Sequence, residues 1–165
     1  MEKELLQKQV NLLMGERLVM GFDAKKFAVW GVELLQDCYD SDNVRILAGL
    51  DYDEHEMVDR YFGLVADELN LKTDYSEEQL LFHYAVDLVK KVFNGIVDPV
   101  KGVHLMYKIY LQSDYDSRYS VFMELDDAIF SIECKEYPYT WPELTNENKE
   151  EIIIKEFKAF LETAK

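Results

Sequence analysis

A chain of 165 residues with 33 Asp and Glu against 18 Lys and Arg carries a formal charge of −15, a field that repels nucleic acid and anionic membrane and attracts basic partners or cations. Its 48% hydrophobic and 13% aromatic content is too high for a disordered acidic polypeptide. The length fits a single domain, residues 1–165, able to bury about 70% of its unfolded surface without disulfides or metals.

The first residues, Met-Glu-Lys-Glu-Leu-Leu-Gln-Lys, lack the basic start and apolar run of a signal peptide. No apolar run of transmembrane length follows, and Cys38 and Cys134 have no CxxC or histidine neighbours. The expected location is therefore the cytoplasm, where isolated thiols stay reduced. Leu5, Leu6, Val10 and Leu13 predict a first helix that weakens at Gly15. A second carries Phe27, Gly31, Leu34, Leu35 and Cys38 on one face, Ser41 caps a short helix through Leu50, and Met57, Tyr61, Leu64, Val65 and Leu69 mark the next. Ser76-Glu-Glu-Gln matches a capping box that opens a helix bearing Leu81, Tyr84, Ala85, Leu88 and Val92, which closes near Asn94-Gly95.

Asp98-Pro99 reads as an N-cap followed by proline at the first helical position, leading into Val103, Tyr107, Tyr110 and Leu111. Val121, Leu125, Ala128 or Ile129, and Ile132 give a further helix. The prolines of Tyr137 to Pro142 then impose a rigid aromatic loop, and Thr145 restarts a helix with Ile153, Phe157, Phe160 and Leu161 on one face. No segment holds the period-2 alternation of a half-buried strand, and Ile152 to Ile154 sit within helical spacing. The predicted fold is an all-α, single-domain irregular bundle of about seven or eight helices.

The charge is segregated along this scaffold. Asp37 to Glu78 holds 13 acidic residues against 3 basic ones and Asp114 to Glu136 holds 7 against 2, so these two regions account for the whole net charge. The densest run is Asp51-Tyr52-Asp53-Glu54-His55-Glu56, followed by Asp59. It contains the ingredients of a metal or acid–base site, but it is not HExxH, and neither it nor Asp114-Tyr115-Asp116 has the glycine and glutamate of an EF-hand loop. A plainer reading has Asp53 capping the next helix, with Glu54 and Glu56 favouring its positive end. His83 and His104 stand singly and read as partly buried structural histidines. No phosphate- or dinucleotide-binding glycine pattern occurs, so no cofactor is expected.

Tyrosines interleave the acids: Tyr39, Tyr52 and Tyr75 in the first region, Tyr115, Tyr119 and Phe122 in the second. Carboxylates steer a cationic partner while tyrosine supplies rigid contact area, a combination suited to binding a basic protein. Charges of one sign confined to a short stretch repel each other, so their segregation calls for an explanation beyond solubility. One acidic, tyrosine-bearing face is expected from the two regions.

From Ala85 to Gly102, where a helix ends in Asn94-Gly95 and Asp98-Pro99 opens the next, and at Leu47-Ala48-Gly49-Leu50, the chain resembles small bacterial helical proteins of uncharacterised families. Some of these are similar to immunity proteins that neutralise polymorphic toxins, and acidic members of that kind bind basic nuclease toxins. The resemblance implies a protein-binding module that occludes a basic partner and carries over no catalytic motif; the expected contacts, Asp51, Tyr52, Asp53, Glu54, Glu56, Asp59, Asp114, Tyr115 and Asp116, come from the acidic, tyrosine-bearing regions themselves. Two alternatives follow from the residues. One is an enzyme holding Mg²⁺ or Mn²⁺ on the Asp51 to Asp59 carboxylates; the other is a structural or regulatory module whose apolar patch lies around Tyr137 to Trp141.

Overall fold

The computed structural model describes residues 3–163 and contains within them eight α-helices, one short 3-10 helix and no strand. The helices are α1 (Lys3–Met20), α2 (Ala24–Gln36), α3 (Asp42–Gly49), α4 (His55–Glu68), α5 (Glu77–Phe93), α6 (Pro99–Gln112), α7 (Ser120–Glu133) and α8 (Lys149–Thr163), with the 3-10 helix Ser117–Tyr119 before α7. The all-α expectation holds. The chain divides into two compact units, Met1–Leu80 and Leu81–Lys165.

In the first unit α2, α3 and α4 pack on one another. The start of α3 follows the sequence reading: Ser41 Oγ accepts from the Val44 amide at 3.2 Å. Phe27, Trp30 and Leu34 of α2 meet Val44 and Leu47 of α3 and Val58, Phe62 and Val65 of α4, with Leu6 and Val10 of α1 completing the core. Phe62 takes the edges of Phe27 and Trp30 at ring separations of 4.8 and 5.3 Å. Full burial of such side chains contributes about 1.5–3 kcal/mol each before entropy is subtracted. Gly31 sets the approach of α2 to α3, because a Cβ there would lie 3.0 Å from both the Ala48 amide nitrogen and Leu47 Cγ. Polar clamps position α1: the Gln7 side-chain amide donates to the Lys72 carbonyl and accepts from the Lys72 amide, both at 2.8 Å.

The second unit is built on α6, which packs against α7 and α8. The box at the head of α5 is complete, with Ser76 Oγ accepting from the Gln79 amide and Gln79 Oε1 accepting from the Ser76 amide. The helix ends as expected, at Gly95 in the left-handed region (φ 69°). Asp98 caps α6 through the Lys101 amide at 3.0 Å. Phe122 stacks on Phe157 at 5.1 Å in the core, and Gly102 lets α6 close onto them, since a Cβ there would lie 2.7 Å from Val92 Cγ2 and 3.1 Å from Phe157 Cζ.

Several local expectations are corrected. Helix α1 runs through buried Gly15 to Met20 and turns at Gly21 (φ 86°), because packing outweighs the roughly 1 kcal/mol helix penalty of one glycine. The buried face of α4 is Val58, Phe62, Val65 and Ala66, one position round from the predicted stripe, leaving Met57 and Leu64 exposed. On α6 the core takes Val103, Met106 and Ile109, while Leu111 is exposed. Regular helix begins at Lys149, four residues after Thr145; Thr145 and Asn148 bond reciprocally at its mouth. Tyr119 and Phe122, expected among the surface aromatics, are core residues.

Candidate functional site

The Asp51–Glu56 segment is the joint between α3 and α4. After Gly49 the backbone extends at Leu50 and then turns: the Glu54 amide donates to the Asp51 carbonyl at 3.0 Å, and Glu54 Oε2 accepts from the Asp51 amide at 3.3 Å. The N-cap of α4 is therefore Glu54, which makes no side-chain cap bond, and Asp53 does not cap the helix as expected. Asp51, Asp53, Glu54 and Glu56 are exposed, with Tyr52 among them at 50% exposure and Lys25 Nζ 5.7 Å from its ring. No ion pair to these four carboxylates occurs among the described residues. Glu56 lies in the first turn, where the helix dipole favours a negative charge by about 0.3–1 kcal/mol.

Asp59 differs from its neighbours. It sits one turn into α4 and accepts from both terminal nitrogens of Arg17 on α1. The Arg17 guanidinium lies 4.6 Å over the ring of Phe22, and Phe22 packs on Phe27 at 4.8 Å and edge-on to His55 at 5.8 Å. His55 is thus an aromatic neighbour of the Arg17–Phe22 stack. Among the described residues no group of three or more His, Cys, Asp or Glu is arranged to hold a metal ion.

Asp114, Tyr115 and Asp116 lie on the turn between α6 and the 3-10 helix. Asp114 and Tyr115 both adopt left-handed backbone (φ 54° and 65°), a conformation that holds their side chains outward. Tyr115 keeps one edge against Tyr110 at 5.5 Å. Asp116 serves the fold: its carboxylate accepts from the Arg118 amide at 2.9 Å and from the Arg118 guanidinium, which holds the carboxyl below its ordinary range.

A groove of about 600 Å³ between α6 and α7, absent from the sequence reading, gathers Asp98, Lys101, His104, Asp126, Asp127 and Glu133 along its walls. His104 is exposed, contrary to expectation, and its Nδ1 lies 3.3 Å from Asp126 Oδ1 across the groove. Burial holds the Asp126 carboxyl above its ordinary value; His104 opposes that shift, and Asp127 and Glu133 add to it. Thr140 Oγ1 lies 3.1 Å from Asp127 Oδ2. Phe130, one turn from these acids, is 65% exposed. The sequence signal was there: Asp126, Phe130 and Glu133 fall at i, i+4 and i+7, on a stripe that borders the buried Phe122 and Ile129 of the same helix. His83 is exposed too, again unlike its expected partial burial.

Tyr137 and Tyr139 project from the proline-bounded loop, their rings edge to face at 4.9 Å. Cys38 and Cys134 are free and exposed. No helix among the described residues is long and apolar enough to cross a membrane. Comparison with protein-family models, with curated proteins and with solved structures found no match to this chain.

Proposed function

We propose that the chain is a cytoplasmic protein-binding module of immunity or antitoxin type, which occludes a basic partner such as a nuclease toxin with the surface around Asp51 to Glu56. The observation that carries the reading is half-exposed Tyr52 set among four exposed carboxylates that pair with no cation of the described residues. Clustered like charges weaken a fold, whereas an approaching cationic surface converts their repulsion into attraction and raises the association rate. Tyr52 supplies the central contact area that excludes water around those charge pairs.

Within this proposal Asp59 has a supporting part, because Arg17 already neutralises it and ties α4 to α1. Asp116 is likewise committed to Arg118, which leaves Asp114 and Tyr115 as the outward groups of the second acidic turn. The test is an interaction screen against the products of neighbouring genes. The native chain should capture a basic protein, and a variant with Asp51, Asp53, Glu54 and Glu56 changed to lysine should not. Capture by both, with equal affinity, would refute the reading.

A further inference from the structure

The α6–α7 groove combines features that a solvated acidic face does not need. Its α7 wall presents Asp126 and Asp127 one turn before Phe130 and Glu133 one turn after it, and Asp98 adds a carboxylate at the start of α6. Lys101 is the lysine on its lining, with His104 paired to Asp126. A phenylalanine ring left 65% in water near the end of a helix costs solvation that packing would recover, and the partly exposed side chains of Tyr107 and Met123 continue the apolar lining of the groove. An apolar strip flanked by carboxylates is complementary to one kind of side chain above others. The guanidinium of arginine is planar and weakly hydrated, stacks on an aromatic face and binds a carboxylate through two nitrogens at once.

We propose that this groove is a docking site for an arginine-bearing amphipathic segment of a protein partner, with apolar side chains laid along Tyr107, Met123 and Phe130 and guanidinium groups engaging Asp126, Asp127 and Glu133. An amphipathic segment laid along a surface groove, its apolar side chains anchored at helical spacing, is a recurring mode of peptide recognition. Arginine relieves the crowding of the three α7 carboxylates, while lysine offers the charge without the stacking surface. The inference stands apart from the reading of the Asp51–Glu56 patch, and the two are tested by different substitutions.

The experiment titrates the full chain with a fluorescein-labelled peptide of leucine and arginine at helical spacing, read by anisotropy at physiological ionic strength, with amide chemical shifts reporting the location. Saturable binding is expected, with shifts centred on His104, Asp126 and Phe130. Phe130→Ala, and separately the triple change Asp126→Asn, Asp127→Asn, Glu133→Gln, should each weaken it by about ten-fold. A lysine peptide of the same pattern should bind more weakly than the arginine one. The control Asp51→Asn, Asp53→Asn, Glu54→Gln removes the same charge from the first unit and should leave binding within about two-fold, since it alters no group that lines the groove. The proposal is overturned by the absence of saturable binding, by an unchanged affinity in Phe130→Ala, or by an equal loss in the control, which would reduce the effect to net charge.

Discussion

Arg17 and Asp59, 42 residues apart in sequence, form a two-point guanidinium–carboxylate pair that ties α1 to α4, and the same guanidinium stacks on Phe22. The pair divides the acidic run of the first unit into two kinds of carboxylate. Asp59 has an internal cation, and Asp51, Asp53, Glu54 and Glu56 face solvent. Stability and binding are therefore expected to respond to different substitutions on the same stretch of chain.

Asp59→Ala should lower stability by about 0.5–1 kcal/mol, the range of a partly exposed ion pair with good geometry. Arg17→Ala should cost more, about 1–2 kcal/mol, because it also removes the stack on Phe22. Urea unfolding measures both. Glu54→Gln and Asp53→Asn, which break no ion pair among the described residues, should move the midpoint little, and losses equal to that of Asp59→Ala would contradict the division.

Glycines at two helix positions should respond in opposite directions to the same substitution. Gly63→Ala on α4 meets nothing within 4 Å, so it should stabilise by about 0.5–1 kcal/mol through helix propensity alone. Gly102→Ala would place a methyl 2.7 Å from Val92 Cγ2, and the overpacking, about 1–3 kcal/mol, outweighs the propensity gain. Thermal melts that moved in the same direction for both would show that the α6 packing is looser than described.

This contrast shows what the sequence conveys and what it withholds. Helix punctuation was legible because it is local chemistry: Ser41, the Ser76 box, Gly95 and Asp98 act on amides within a few residues of themselves. The rotation of α4 and α6 was not, since Met57 and Val58 are equally apolar and only the packing against α2 and α3 decides which is buried. Asp59 was legible as an acid but not as a neutralised one, because its cation lies 42 residues away. His104 failed for the same reason, its carboxylate partner being 22 residues distant.

Asp116 should carry a pH-dependent share of stability. Arg118 lowers its carboxyl below the ordinary 3.8 in the folded chain, so the contribution is complete above that value and is lost as the pH falls through the lowered one. Asp116→Ala should cost about 1–2 kcal/mol near neutrality by removing the cap and the pair together. Asp116→Asn keeps an acceptor for the Arg118 amide and should cost less. Melts repeated at decreasing pH should bring the native chain and Asp116→Asn together in strong acid; a constant gap would refute the assigned cause.

Asp126 should behave in the opposite sense. Its folded carboxyl is raised by burial, with Asp127 and Glu133 adding to the effect against His104, so ionisation opposes folding above the ordinary 3.8 and has no effect well below it. Asp126→Asn should match the native chain in strong acid and gain stability relative to it as the pH rises towards neutrality. A relative loss over that range would mean that the charged contact with His104 outweighs the burial cost.

The central claim is that the exposed acids around Tyr52 are a contact surface for a basic protein. Its most direct measurement is the affinity and association rate for a basic neighbouring-gene product, compared between the native chain, Tyr52→Ala and the lysine variant of Asp51, Asp53, Glu54 and Glu56. The account expects nanomolar-class binding whose association rate falls steeply with salt, a loss of about 2 kcal/mol or more for Tyr52→Ala and abolition by charge reversal. Binding that survived charge reversal with an unaltered association rate and salt dependence would contradict it.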